Sequence, residues 1–492
     1  MANTILNLKP VNVWKHFYAL TQIPRPSGCM EKVTDFVEKF GKSLNLETSR
    51  DAANNICIRK PATKGYENRQ TIILQSHLDM VPQANSNLKF DFTKDAIQAY
   101  IAGDWVKAKG TTLGADNGIG AAATMAVLEA SDLRHGPLEG LFTTDEETGM
   151  YGALAIRPGF INGKIMLNLD SELDGELYIG CAGGEDISVS FQYENEAVPF
   201  TEPFIVRISL TGLKGGHSGV DIHLGRGNAN KLIFRLLKDA MIKQNARLSS
   251  VQGGTLRNAI PREAFATIVV DGEKNYNDLL KLIDYYRETF ITEFEGIEDS
   301  IDLKAERLKA PTDRLRLIPV EVQQRLTHAI VGCRNGVVNR FAKIPGTVET
   351  SVNMAIVQSD EKTIEVKFLA RSSSETKKRA ICGTIESAFI NANAHRVACG
   401  NGYPGWNPNP DSNILQVMKK IFESQRGFAP KVEVMHAGLE CGIILSNVPG
   451  LDTVSFGPTI QFPHSPDEKI EIASVQKFWD YLVGILKEAP KK

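Results

Sequence analysis

Carboxylate and imidazole side chains recur at or just beyond the ends of apolar, strand-like runs in this chain, in a pattern suited to holding cations. TIILQSHLD closes on His77 and Asp79, TTLGADNGIG carries Asp116, LEGLFTTDEETG carries Glu146 and Glu147, KIMLNLDSE carries Asp170, and DTVSFGPTIQFPHSPDE carries His464. A buried strand gains nothing from a charge at its end, whereas the carboxyl ends of strands in an open α/β sheet are where sites are built. Carboxylate oxygens and imidazole nitrogens suit zinc, manganese or cobalt. Each group also has an ordinary explanation: a core histidine for His77, a helix N-cap for Asp116, an acidic surface turn for Glu146 and Glu147, a turn or cap for Asp170, a loop histidine between prolines for His464. All of these coincidences would have to occur together, so the joint expectation is a two-metal hydrolase site.

Spacing adds detail. In the H-x-D of His77 and Asp79, a carboxylate beside a ligating imidazole would fix its tautomer and raise its basicity. Glu146 and Glu147 are consecutive and can point different ways, so one can hold metal while the other serves as a base. The Gly-rich turn around Asp116 lacks the Lys and Ser/Thr of a phosphate-binding loop and does not meet G-x-G-x-x-G, which discounts a nucleotide.

The elements that must carry these groups alternate up to about Asp186. VWKHFYALTQI, MEKVTDFVEKFGKSL and GIGAAATMAVLEAS have helical periodicity, while TIILQSHL, LEGLFTTD and KIMLNLD read as strands. Such alternation predicts a largely parallel, helix-covered sheet. Beyond Asp186 the strands lengthen and alternate, as in DISVSFQYENEA and PFIVRISLTG, and a helix, strand pair and helix follow. A similar order returns after Leu315, which suggests a twice-repeated α+β unit. After GNGYPGWNPNPDS the α/β character resumes and includes His464. The first and last segments therefore form one discontinuous domain, 1–186 with 403–492, and 187–402 is inserted.

At 492 residues the chain exceeds what one core usually serves. Lys+Arg 56 against Asp+Glu 58 argues against nucleic acid or an anionic membrane surface as partner. The 7 cysteines are scattered without C-x-x-C spacing, so a disulfide framework or thiolate zinc site is not expected. MANTILNLKPVNVWKHF lacks a basic segment followed by an apolar one, and no apolar stretch approaches ~18 residues. A soluble, cytoplasmic protein acting on small molecules or peptides is expected.

The stretches SHLDMVPQ, GTTLGADNGIG, TTDEETGMYGA, NLDSELDGELYIGCAGG, GLKGGHSGVDIHLGRGNA, HAGLECG and SFGPTIQFPHSPDEK span nearly the whole chain. In them the sequence resembles the aminoacylase/carboxypeptidase G family of co-catalytic zinc amidohydrolases, which includes cytosolic dipeptidases. The resemblance implies an α/β fold, with a mixed, mainly parallel zinc-peptidase-like sheet covered by helices on both faces, plus an inserted α+β lid. It implies two Zn2+ per subunit, with Mn2+ or Co2+ as substitutes: His77 and Asp170 on one, Glu147 and His464 on the other, Asp116 on both. It further implies that Asp79 orients His77 and that Glu146 is the general base. Two such ions would polarise a scissile carbonyl and lower the pKa of water from about 15.7 toward about 7.

By the same likeness His217, in GLKGGHSG, and Asn258, in LRNAIPRE, would stabilise the tetrahedral oxyanion, and Arg371, in FLARSSS, would clamp a terminal carboxylate. Gly438 and Glu440 are expected to line the pocket. In several relatives the lid histidine reaches a neighbouring subunit, so a homodimer through the lid is one arrangement and action within one chain the other. The expected activity is hydrolysis of unblocked dipeptides, Xaa-His included. A tripeptidase or N-acyl amino acid deacylase on the same centre, or a catalytically silent metal- or partner-binding relative, are the alternatives.

Overall fold

The apolar runs Ile72–His77, Leu138–Thr143 and Ile165–Asn168 are buried at every position, as interior strands covered on both faces must be. In the computed structural model, which describes residues 2–309 and 315–492, they are neighbours at the centre of an eight-stranded sheet. Ile72–His77 pairs in parallel with Leu138–Thr143 on one side and Ile165–Asn168 on the other, and Asp452–Ser455 continues the parallel set. The register sets His77 opposite Thr143 and Gln75 opposite Asn168. Three carboxyl ends therefore finish almost level, and the residues just beyond them share one edge of the sheet.

The expected mainly parallel character holds for those four central strands. Glu47–Arg50, Ile56–Lys60 and Glu176–Cys181 join them antiparallel. A short connection such as that between Arg50 and Ile56 can return a chain only into an antiparallel neighbour. A second, four-stranded sheet of Ala99–Ala102, Trp105–Ala108, Lys469–Glu471 and Ile460–Gln461 had no strong signal in the sequence. Its last two strands pair antiparallel and carry the His464 loop between them.

The chain divides into two units. The first comprises Met1–Cys181, Trp406–Val434 and Leu439–Lys492, and the second Ala182–Gly405 with Met435–Gly438. The second unit begins upstream of Asp186 because Gly183–Gln192 pairs along its whole length with Thr363–Ser372. Its nine-stranded sheet runs Asp302–Leu308, Pro203–Thr211, Ala264–Asp271, Arg247–Gly253, Val348–Ser359, Thr363–Ser372, Gly183–Gln192, Arg396–Tyr403, with Gly336–Arg340 beside Val348–Ser359. The order is mirrored about the seam between Arg247–Gly253 and Val348–Ser359. On each side a strand, helix, two strands, helix and final strand take equivalent places, the helices being Ala229–Lys243 and Gly272–Glu293 on one and Val320–Gly332 and Glu375–Asn391 on the other. One apolar core, including Phe234, Phe290, Leu326, Phe368 and Phe389, serves both halves. Among the described residues no helix is long and apolar enough to cross a membrane, and the cysteines are free.

Candidate metal centre

His77 is the last residue of its strand and is 1% exposed. Its Nε2 lies 3.1 Å from Asp116 Oδ1 and 3.4 Å from Asp170 Oδ1, and its Nδ1 faces Asp79 Oδ1 at 3.3 Å. On the far side of Asp116, Oδ2 is 3.3 Å from His464 Nε2, which in turn is 3.0 Å from Glu147 Oε1. The two oxygens of Asp116 thus serve two different histidines. His77, Asp116 and Asp170 form one group able to hold a cation, and Asp116, Glu147 and His464 form a second; His77, Glu146 and Glu147 form a third, overlapping group.

The local backbone explains the convergence. Asp116 sits in the first turn of Ala115–Glu129, not at the end of a strand, and its φ of −79° and ψ of 112° are not helical. Gly114 before it has φ +70°, and a Cβ there would come within 2.5 Å of Arg25 Nη2, so glycine alone fits. After Thr143 the chain turns at Asp145, whose Oδ1 accepts the Gly28 N–H at 2.6 Å. Asp79 then anchors the next two residues, its Oδ1 accepting the Glu146 N–H at 3.0 Å and its Oδ2 the Glu147 N–H at 3.1 Å and the Ser27 hydroxyl at 2.8 Å. His464 is held in its loop at φ +59° with 51% of its side chain exposed.

So many like charges shift one another. Burial pushes Asp170 up to about 6 and raises Glu146 well above the carboxylate range, with Asp170, Glu440 and Glu147 adding to the rise in Glu146. Burial opposes ionisation of Asp116, but hydrogen bonds from His464 and His77 hold it well below its ordinary value. Hydrogen bonds to Asp116 and Glu147 lift His464 to about 11. For His77 burial disfavours the cation, yet Asp170, Asp116 and Asp79 outweigh it and raise it well above 6.5. Asp170 Oδ1 and Glu147 Oε1 are buried and, among the described residues, have only the imidazoles of His77 and His464 near them, at 3.4 and 3.0 Å, which fits a donor set shaped for cations.

Glu440, expected as pocket lining, is instead 0% exposed, with Oε2 accepting from Gln75 Nε2 at 2.7 Å and Thr143 Oγ1 at 2.6 Å. It lies beneath the strand ends because Gln75 and Thr143 point inward from adjacent strands and need an acceptor. Burial raises its carboxyl to about 8.

The second unit gathers the other expected residues. Arg371 is 4% exposed; its Nη1 donates to the Tyr403 hydroxyl at 2.9 Å and its Nε to Ser218 Oγ at 3.4 Å, with His217 Nε2 at 3.5 Å from Nη2. No carboxylate pairs with Arg371 among the described residues. His217 Nδ1 accepts the N–H groups of Gly219 and Val220 at 3.2 and 3.1 Å, which assigns the ring proton to Nε2. Burial and the Arg371 charge keep this imidazole below its ordinary value, hence neutral. Asn258 is exposed, adjoins Ala259, which pairs with His217, and accepts the Ser218 N–H on its carbonyl at 2.7 Å. Gly438 closes the Met435–Gly438 segment, in which His436 Nε2 meets Ser351 Oγ at 2.8 Å. Arg25, Ser27, Gln75, Tyr403, His436 and Glu468 carry no local signal in the sequence, because each meets a partner distant along the chain.

Residues 73–488 match the model of peptidase family M20/M25/M40. The chain is 42% identical over 487 residues to the cytosol non-specific dipeptidase of Escherichia coli (strain K12), covering 99% of each. The crystal structure of aminoacylhistidine dipeptidase from Vibrio alginolyticus is similar throughout, with a TM-score of 0.93, 43% identity, and coverage of 99% of this chain and 98% of that one. Aminopeptidase PepT from Bacillus cereus shares the fold, with a TM-score of 0.57, 17% identity, and coverage of 98% of this chain and 99% of that one.

Proposed function

The chain belongs to peptidase family M20/M25/M40, and we propose on that premise that it cleaves unblocked dipeptides, Xaa-His among them, at a centre of two Zn2+ per subunit. It is a metal-dependent dipeptidase, a hydrolase acting on peptide bonds. The observation that carries the two-ion form is Asp116, with Oδ1 at 3.1 Å from His77 and Oδ2 at 3.3 Å from His464. His77 and Asp170 would hold one ion, Glu147 and His464 the other, and Asp116 both. Mn2+ or Co2+ would suit the same donors. When bound, the ions supply polarisation of the scissile carbonyl and acidification of water.

The chain's own groups do the rest. Glu146 takes the proton from the attacking water and delivers it to the leaving amine, work worth about 10²–10⁴-fold. Burial and neighbouring acids raise the proton affinity of its carboxylate above the ordinary, which helps the ionised Glu146 take up the water's proton. His217, neutral with its proton on Nε2, and the Asn258 amide donate to the developing oxyanion. Arg371 binds the substrate's terminal carboxylate, a role supported by its being only 4% exposed and without a carboxylate partner among the described residues. Gly438 borders the substrate. The histidyl preference follows the Vibrio relative's name. Free cysteines and an Escherichia coli relative called cytosolic favour the cytoplasm, and a homodimer through the second unit is the assembly proposed.

The test is turnover of Ala-His, β-Ala-His, a tripeptide and N-acetyl amino acids by the zinc-loaded protein, with and without chelator. Chelator-sensitive cleavage confined to dipeptides is expected; preference for the tripeptide or the acyl substrates would overturn the specificity. Glu146→Gln should lose about 10²–10⁴-fold in kcat with both ions retained, and loss of an ion with the activity would make Glu146 a ligand. Arg371→Lys should raise KM for dipeptides while leaving C-terminally amidated ones unchanged; no change for either would sink the clamp.

A further inference from the structure

Glu468, a buried carboxylate beside the centre, accepts from backbone amides and not from an imidazole or a guanidinium. Glu468 is 2% exposed and lies four residues after His464, where the loop re-enters the strand Lys469–Glu471. Its Oε2 accepts the N–H groups of Leu113 at 2.7 Å and Gly114 at 2.9 Å, and its Oε1 those of Ala115 at 2.7 Å and Asp116 at 3.2 Å. Consecutive amides from Leu113 to Asp116 thus converge on one side chain from the other end of the chain. Amides that open a helix have no partner within it, and charge-assisted bonds to them are the strong kind.

The same turn is gripped from its carbonyl side. Arg25, 1% exposed, donates through Nη2 to the Gly114 carbonyl at 2.5 Å and through Nη1 to those of Leu78 at 2.9 Å and Asp79 at 3.2 Å. Arg25 therefore references the Asp116 turn to the strand end bearing His77, and Glu468 references it to the loop bearing His464.

The two sides of the centre are not equally braced. His77 is buried, ends a central strand and is backed by Asp79. His464 has a half-exposed side chain, and its polar contacts are with Asp116 and Glu147. Within its loop Glu468 is the residue that reaches the Asp116 backbone.

We propose that Glu468 is a positioning residue that locks the His464 loop to the Asp116 turn, so that Asp116 Oδ2 and His464 meet the same ion. This rests on His464 and Asp116 being ligands, as proposed above. Loss of the lock should weaken the ion shared with Glu147 and His464 and spare the ion shared with His77 and Asp170. Partners that orient ligands are typically worth about 10–100-fold in metal affinity.

The experiment titrates Co2+ into metal-free wild type, Glu468→Gln, Glu468→Asp and His464→Ala, following heat and the cobalt absorption bands. Glu468→Gln keeps the shape but turns an amide toward backbone N–H groups; Glu468→Asp keeps the charge and serves if the first variant does not fold. The expected result is a first ion bound as in wild type and a second weakened about 10–100-fold. At saturating Co2+ the KM for a dipeptide should return to the wild-type value. Equal weakening of both ions, or of neither, overturns the positioning role provided His464→Ala loses the second ion. If His464→Ala keeps both ions tightly, the ligand assignment itself fails, and the positioning role with it.

Discussion

Asp79 shows how one carboxylate can organise several others. It faces His77 Nδ1 and accepts the N–H groups of Glu146 and Glu147 together with the Ser27 hydroxyl. An amide at this position must turn a donor toward at least one of those donors. Asp79→Asn is therefore expected to lower metal affinity by about 10–100-fold, measured by metal titration of the apo protein; unchanged affinity would reduce Asp79 to a bystander. His436 makes a separate prediction. Burial, with Arg371 and His217 adding, depresses its imidazole from 6.5 to about 3. As pH falls from 6.5 toward 3 the unfolded chain takes up this proton and the folded one does not. Stability from this group is thus intact above 6.5 and falls below it, by at most about 1.4 kcal/mol per pH unit. Urea unfolding at pH 6.5 and 4.5 should show a smaller loss for His436→Gln than for wild type, and equal losses would refute the assignment.

Strands and their connections decide where the ligands end up. Periodicity located Ile72–His77, Leu138–Thr143 and Ile165–Asn168 because burial on both faces leaves a continuous apolar run. It also put Asp116 beside a helix start, where the structure has it, but it could not foresee that Ile460–Gln461 and Lys469–Glu471 hold the His464 loop, since strands of two and three residues carry almost no pattern. The close fit of connections is testable at Gly457, where a Cβ would stand 1.8 Å from the Ser171 carbonyl oxygen. Ser171 follows Asp170, and its hydroxyl meets Ser455 Oγ at 2.6 Å. Gly457→Ala should displace that backbone, destabilising the apo protein by about 1–3 kcal/mol and weakening the ion at Asp170. Thermal unfolding and metal titration check both, and a wild-type melting temperature would show that the segment yields freely.

Over the whole chain, metal binding and stability are linked. The first unit confines His77, Asp116, Glu146, Glu147, Asp170 and His464 to one edge, and ions that bind this folded arrangement alone must stabilise it. Zinc at about 100 times its Kd should contribute about 2.7 kcal/mol per site, and chelation should remove it. A melting temperature indifferent to chelator would contradict a centre built from these residues. Residue types, their spacing and the contiguous motifs of the resemblance together pointed to a metal-dependent peptidase, because each of these is a local feature of the sequence. They were also enough for the central strands and most helices, whose periods are local. Which oxygen of Asp116 meets which histidine, the burial of Glu440 beneath Gln75 and Thr143, the isolation of the Arg371 charge and the grip of Glu468 on Leu113 to Asp116 required the folded chain. Each joins residues far apart in sequence through single hydrogen bonds or close contacts, which leave no periodicity behind and exist only once sheet register and loop closure bring the partners within about 3 Å.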